Sequence, residues 1–156
     1  MYTIDLFAGC GGLSKGFMDA GFDVIVGVDN DSAALETFKL NHSGAVSLNA
    51  DLSKQDTFDE IKRIAGERQI DVIIAGPPCQ GFSLTGPRKF DDKRNKLYLA
   101  VFEVVKQYKP RAFIIENVPG METLYNGAIK DEILKRFRNL GYNVEARILV
   151  AADYGV

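Results

Sequence analysis

Cys79 is the residue in this chain best suited to act as a nucleophile. It lies in the string GPPCQGFS (residues 76–83), directly after the apolar run Asp71–Ala75, which is typical of a short buried strand. Open α/β sheets bind ligands beyond the carboxyl ends of their strands, and prolines restrict the backbone that carries the thiol. The string therefore predicts a displayed nucleophile, although a free cysteine is equally often a small buried apolar residue.

Glu116 is a second candidate for chemistry. It ends the apolar run Ala112–Ile115, so we expect it at the same sheet edge as Cys79. Four apolar residues before it predict a buried carboxyl, which suits a proton donor. A structural glutamate paired with a helix N-terminus is the alternative.

Glycines between the first strand and the first helix indicate a cofactor loop. Gly9 and Gly11 would let a nucleotide-like ligand lie against the backbone at a helix N-terminus. Asp29 follows Gly9 by twenty residues, the spacing at which an acid meets a ribose. Ser14 stands where a dinucleotide fingerprint has its third glycine, and the early acid Asp5 suits a cationic ligand better than a pyrophosphate. A turn that only joins strand to helix is the alternative.

Three further residues need an interpretation. Asp51 follows the third strand and either reaches an adenine amino group or caps a helix. Cys10 is expected to be a small packing residue, and His42, the only histidine, a surface residue at a helix end. With one histidine and two separated cysteines, we expect no metal site.

Apolar runs alternate with helical patterns along the whole chain, which predicts an α/β fold with a mostly parallel sheet and helices on both faces. The predicted strands are Tyr2–Phe7, Val24–Val28, Ala45–Leu48, Val72–Ala75, Ala112–Glu116 and Asn143–Val150. The predicted helices are Leu13–Ala20, Ser32–Asn41, Thr57–Glu67, Lys96–Tyr108 and Ile129–Leu140, with Asp31 or Ser32 capping the second and Gly141 ending the fifth.

Length and composition indicate one globular domain, residues 1–156. Two cysteines, no secretory signal and no membrane-length apolar segment favour a cytoplasmic protein. A net charge of -2 argues against binding nucleic acid by bulk electrostatics, but a basic cluster follows Cys79.

The strings DLFAGCGG, GPPCQGFS and ENV, in this order, resemble the cofactor loop, nucleophile motif and acid motif of the cytosine-5 DNA methyltransferases. The resemblance implies a Rossmann-like methyltransferase sheet, S-adenosylmethionine as cofactor and DNA as substrate. It makes Cys79 the thiolate that attacks carbon 6 of a flipped cytosine, and Glu116 the acid at the ring nitrogen and exocyclic amine.

The same resemblance assigns the cofactor residues. Asp29 would bind the ribose, Asn30 the adenine face and Asp51 the adenine amine, while the remaining cofactor residues would be Phe7, Ala8, Gly9, Gly11 and Pro77. Residues 80–96 would close over the flipped base, with the substrate contacts Gln80, Ser83, Arg88 and Arg94.

The family's later arginine motif and target-recognition region are not found in these residues. We therefore expect a sheet incomplete at its C-terminal end and a second polypeptide as partner. The alternatives are a truncated or split-subunit cofactor-binding module that is inactive alone, and a transfer-RNA cytosine-5 methyltransferase. A nicotinamide-dependent enzyme is disfavoured by Ser14.

Overall fold

Five parallel strands form one sheet in a computed structural model of the chain, which describes residues 1–78, 96–123 and 127–155. Valine and isoleucine dominate the central strands, as expected where both faces are covered. The strands are β1 (Tyr2–Leu6), β2 (Asp23–Asp29), β3 (Val46–Asn49), β4 (Ile70–Ala75) and β5 (Ala112–Ile115), in the order β3-β2-β1-β4-β5. The first five predicted strands are confirmed.

The helices that connect these strands are α1 (Gly12–Asp19), α2 (Ser32–Asn41), α3 (Gln55–Ala65) and α4 (Lys96–Tyr108). From β1 the chain moves outward to β3, and then returns past β1 to β4 and β5. Right-handed crossovers therefore place α1 and α2 on one face of the sheet and α3 and α4 on the other. The predicted α/β fold with helices on both faces is confirmed.

The described residues divide into two compact units. The first comprises residues 1–78 and 96–117 and holds the sheet. The second comprises residues 118–123 and 127–155, with α5 (Gly120–Thr123), α6 (Ala128–Asn139) and a final 3-10 turn (Ala151–Tyr154). In the described part of the chain no helix is long and apolar enough to cross a membrane. The single domain 1–156 stays a prediction.

The predicted strand Asn143–Val150 is wrong. Among the described residues this segment pairs with no strand, and its apolar side chains Ile148, Leu149 and Val150 are 57%, 66% and 54% exposed. Arg138 of α6 donates a hydrogen bond to the Val144 carbonyl oxygen at 2.9 Å. A strand needs a neighbour to satisfy its backbone, so an apolar, β-branched segment without one adopts no ladder.

Helix α2 packs on the sheet through an aromatic side chain that requires glycine below it. Asp31 caps the helix as predicted, since its carboxylate accepts hydrogen bonds from the amides of Ala33 and Ala34. One face of the helix then buries Phe38, whose ring lies against Gly27 of β2. A Cβ built on Gly27 would be 2.3 Å from Phe38 Cζ, so no larger residue fits there.

Strand β1 also buries an acid. Asp5 is 1% exposed, accepts a 2.6 Å hydrogen bond from the Ser14 hydroxyl through Oδ2, and has no partner at Oδ1 among the described residues. Burial raises the pKa of Asp5 from 3.8 to about 7, the Ser14 hydrogen bonds oppose this shift, and the charge of Asp29 adds to it. The acid therefore makes folding depend on pH.

We predict that Gly27→Ala destabilises the protein by about 1–3 kcal/mol, because the new methyl group overpacks Phe38. Urea unfolding measures the change. Gly16→Ala is the matched control, since Gly16 lies in α1 with open space around its Cα, and alanine there favours the helix. Equal stability changes in the two variants would contradict the packing shown here.

We predict that the wild-type protein loses stability as the pH rises from 4 to 7, and that Asp5→Asn reduces this loss. In this window folded Asp5 keeps its proton while the unfolded residue has lost it, so stability falls as pH rises, by up to about 4 kcal/mol. Urea unfolding at both ends of the window measures this slope. Asp19→Asn, at an exposed surface ion pair, is the control; an unchanged slope in Asp5→Asn would show that Asp5 does not titrate as described.

Candidate active site

The carboxyl ends of the strands are held level by backbone hydrogen bonds that continue one step beyond the sheet. The Ala8 amide donates to the Val28 carbonyl at 3.0 Å, and the Gly76 amide to the Leu6 carbonyl at 3.1 Å. The Glu116 amide donates to Ala75 at 2.8 Å. The residues that follow β1, β4 and β5 therefore lie side by side at one edge, as the sequence predicted.

The loop after β1 takes a conformation that depends on glycine. Gly9 and Gly11 have φ values of +54° and +92°, and Phe7 also has a left-handed φ of 59°. Asp29 anchors this loop, since its Oδ2 accepts a 2.8 Å hydrogen bond from the Gly9 amide. Its Oδ1 accepts one from the Asp31 amide at 2.9 Å. The twenty-residue spacing noted in the sequence thus corresponds to a direct contact between the acid and the glycine loop.

A cavity of about 270 Å³ opens beside this loop. Four residues assigned to the cofactor line it, namely Phe7, Asp29, Asn30 and Asp51. Ala8, Gly9, Gly11 and Pro77, also assigned to the cofactor, are not among the described residues that line it. The sequence interpretation missed five lining residues, namely Ala50, Leu52, Gly76, Pro78 and Leu97.

Most of the missed residues carried a usable signal. Ala50 and Leu52 flank Asp51, and Gly76 and Pro78 belong to the string that contains Cys79, so proximity in sequence could have identified them. Leu97 lies in the first turn of α4, far from the other lining residues in sequence, and only the folded chain brings it to the cavity.

Asp51 does not cap α3, the alternative that the sequence left open. The residue preceding this helix is Lys54, whereas Asp51 Oδ1 accepts a 2.9 Å hydrogen bond from the Ser53 amide. The Thr57 hydroxyl donates to the Asp51 backbone carbonyl at 2.6 Å. These bonds fold the start of α3 back on the strand end and keep Asp51 at the cavity wall.

Glu116 lies next to the segment that leads toward Cys79. Its Oε2 is 3.7 Å from the point that a Cβ on Gly76 would occupy. The neighbouring Asn117 Nδ2 donates to the Pro77 carbonyl at 3.0 Å, which ties the end of β5 to the proline segment. Pro77 is buried, so the segment is held by packing as well as by this hydrogen bond.

Three burial predictions are wrong. Glu116 is exposed, because β5 has only β4 as a neighbour among the described strands and its apolar run does not mark a central strand. Cys10 is exposed, because the glycine loop turns it outward from the sheet. His42 is 1% exposed, because it follows Phe38 by one helical turn and continues the buried face of α2.

The predicted nucleophile and substrate loop lie outside the described residues. These are Cys79, Gln80, Ser83, Arg88 and Arg94. The structure describes the chain on the approach to them as far as Pro78, and again from the start of α4.

The residues that line the cavity suit a ligand that combines an adenosyl group with a positive charge. An aromatic ring, apolar side chains and two carboxylates, Asp29 and Asp51, line it. Carboxylates favour cations and ribose hydroxyls, and they disfavour a phosphate. Among the residues described, no group of three or more His, Cys, Asp or Glu side chains could hold a metal ion.

Comparisons with known proteins agree with this geometry. The chain is 42% identical to the Type II methyltransferase M.AgeI of Thalassovita gelatinovora and 45% identical to M.XorII of Xanthomonas oryzae pv. oryzae. It is matched over 100% and 98% of its length, respectively, but spans only 37% of each relative. A crystal structure of the S. pombe Dnmt2 methyltransferase superposes with a TM-score of 0.69 at 26% identity, covering 92% of this chain and 43% of that one.

The sequence model of the family described as "C-5 cytosine-specific DNA methylase" matches residues 1–156. The proteins of this family are methyltransferases that depend on S-adenosylmethionine. The parallel sheet and the glycine loop anchored by Asp29 agree with this match along the whole sequence. The chain therefore belongs to the C-5 cytosine-specific DNA methylases.

Proposed function

We propose that this chain provides the cofactor site and the nucleophile of an enzyme that methylates carbon 5 of cytosine in DNA. The observation that carries the proposal is the convergence of Phe7, Asp29, Asp51 and Gly76 on one cavity, with Glu116 beside Gly76. These residues come from five strand ends, and their arrangement suits a nucleoside cofactor next to a reacting base.

The residues present fit S-adenosylmethionine, which supplies an electrophilic methyl group when bound. In the proposal Asp29 and Asp51 bind ribose and adenine polar groups, and Phe7 and Leu52 contribute apolar surface. The acids give the pocket a negative charge that complements a sulfonium and an ammonium group. Asn30 is exposed at the rim, where it would face the adenine ring.

Cys79 performs the covalent step in this proposal. Its thiolate forms a bond to cytosine carbon 6, which makes carbon 5 nucleophilic, and Glu116 holds a proton at the ring nitrogen and a hydrogen bond to the exocyclic amine. After carbon 5 has been alkylated, it loses its proton to a base, and the electron pair expels Cys79 as a thiolate. The cytosine must leave the duplex for this attack, since carbon 6 cannot be reached inside the base stack.

DNA is the proposed macromolecular partner. The basic residues Arg88 and Arg94 follow the nucleophile in sequence and suit contact with phosphates near the flipped base. The residues that select the target sequence would come from polypeptide outside residues 1–156, either in the same protein or in a second chain. This part of the proposal agrees with the greater length of the relatives.

We expect the intact gene product to form a covalent adduct with duplex DNA that contains 5-fluorocytosine, in the presence of S-adenosylmethionine. Fluorine at carbon 5 cannot leave as a proton does, so the bond from Cys79 to carbon 6 persists. Denaturing electrophoresis and mass spectrometry of the modified peptide measure the adduct. Cys79→Ala should abolish the adduct and methyl transfer while leaving cofactor affinity nearly unchanged.

Cys10→Ala is the matched control, since Cys10 is the other cysteine of residues 1–156, is exposed and should not be needed for the adduct. An adduct at Cys10, or one that survives Cys79→Ala, would refute the assignment of the nucleophile. Transfer RNA tested beside DNA separates the two substrates, and methylation of transfer RNA alone would replace the DNA proposal with the RNA one.

We expect Asp29→Ala to weaken S-adenosylmethionine binding about 10-fold or more, as measured by titration calorimetry. The variant loses a cavity carboxylate and also the acceptor that holds the Gly9 amide. Asp29→Asn keeps one acceptor oxygen, so its affinity for S-adenosylmethionine should lie between those of wild type and Asp29→Ala. Asp31→Asn preserves the helix cap outside the cavity lining and serves as the control; equal affinities in Asp29→Ala and Asp31→Asn would refute the placement of the cofactor.

A further inference from the structure

His42 is the one buried histidine of the chain, and the proposed chemistry gives it no role. It directly follows Asn41 as the C-terminal cap residue of α2, and it is 1% exposed. Its ring stacks on Phe38 with 4.3 Å between ring centroids and 20° between planes. Nδ1 donates to the Phe38 carbonyl at 2.8 Å, so the orientation of the ring is set within its own helix.

The rest of the His42 ring is used for packing. Nε2 is buried and has no hydrogen-bond partner among the described residues. The Phe38 carbonyl also accepts the His42 backbone amide at 2.9 Å, so it keeps a partner if the ring is removed. The ring at position 42 therefore contributes mainly through its shape, and the hydrogen bond from Nδ1 fixes its orientation.

The ring packs against Gly11 of the cofactor loop. A Cβ built on Gly11 would lie 2.2 Å from His42 Cε1 and 2.8 Å from Phe38 Cδ2. Gly11 immediately precedes α1, and the first amides of a helix have no partner within it. The Gly11 amide donates to the Ala8 carbonyl at 2.8 Å, so a displacement of Gly11 would be transmitted to Ala8, next to Phe7 of the cavity lining.

Two contacts thus hold the loop on opposite sides of Cys10. Asp29 binds the Gly9 amide, and the aromatic pair of Phe38 and His42 abuts Gly11. Phe38 also fills the space over Gly27 of β2, the strand that ends in Asp29. One pair of rings therefore sets the position of the glycine loop relative to the strand that carries the cofactor acid.

We propose that His42 is a positioning residue for cofactor binding, whose ring holds Gly11 and fixes the glycine loop in its binding conformation. This inference rests on the proposed function, since the loop follows Phe7 and is hydrogen-bonded to Asp29, and both residues line the cavity proposed for S-adenosylmethionine. His42 touches neither the cofactor nor the reacting base in this proposal. Its removal should therefore reduce affinity for the cofactor without changing the chemical step.

The test compares His42→Ala with wild type in the intact gene product. We expect the dissociation constant for S-adenosylmethionine to rise about 10-fold, while kcat at saturating cofactor stays within about 2-fold. Calorimetry is performed at a temperature where urea unfolding shows each variant to be folded. Leu40→Ala is the matched control, because Leu40 lies on the same helix and is 85% exposed.

His42→Asn is the milder variant if the alanine variant does not fold. Asparagine keeps a donor for the Phe38 carbonyl but lacks the ring edge beside Gly11, so binding should weaken in the same direction. Wild-type affinity in a folded His42 variant would overturn the inference, and so would a fall in kcat with affinity unchanged. Failure of the wild-type protein to bind S-adenosylmethionine would overturn the proposed function itself.

A second measurement isolates the contact. Gly11→Ala is introduced into wild type and into His42→Ala, and its effect on affinity is compared in the two backgrounds. The left-handed φ of Gly11 penalises alanine equally in both, but the 2.2 Å overlap with His42 exists only in wild type. We expect a smaller loss of affinity in the His42→Ala background; equal losses would overturn the inference.

Discussion

The alignment of the parallel strand ends is the constraint on which the rest of the structure depends. Backbone hydrogen bonds fix the register of β1 against both β2 and β4, and they continue past the strands to Ala8, Gly76 and Glu116. A slip of one residue would turn every side chain of the slipped strand to the opposite face. Because most of the candidate site lies at or just beyond the strand ends, its geometry depends on sheet register.

The glycine loop is held in place by contacts within the protein. Asp29 holds one of its amides, aromatic rings from α2 fill the space beside Gly11, and left-handed φ values set its path. Preorganisation of this kind lowers the entropy lost on binding. Asp5 of β1 is buried nearby in sequence, with an elevated pKa and one oxygen that has no partner among the described residues.

The centre and the edge of the sheet impose different conditions on similar sequences. Val72–Ala75 in β4 lies between two strands and is buried throughout. Ala112–Ile115 in β5 is equally apolar but has one described neighbour, and Ile114 is 46% exposed. Residues 143–150 pair with no described strand and form none. Apolar content thus indicates an extended segment only where the fold supplies a partner.

The sequence by itself determined the alternation of strands and helices, the α/β class and the Asp31 cap. These features depend on local periodicity, capping and spacing, which neighbouring residues encode. Only the tertiary structure decided that His42 is buried, that Glu116 is exposed and that Leu97 reaches the cavity. Burial also depends on which elements pack against a residue, and those elements are distant in sequence, so a local pattern alone does not specify it.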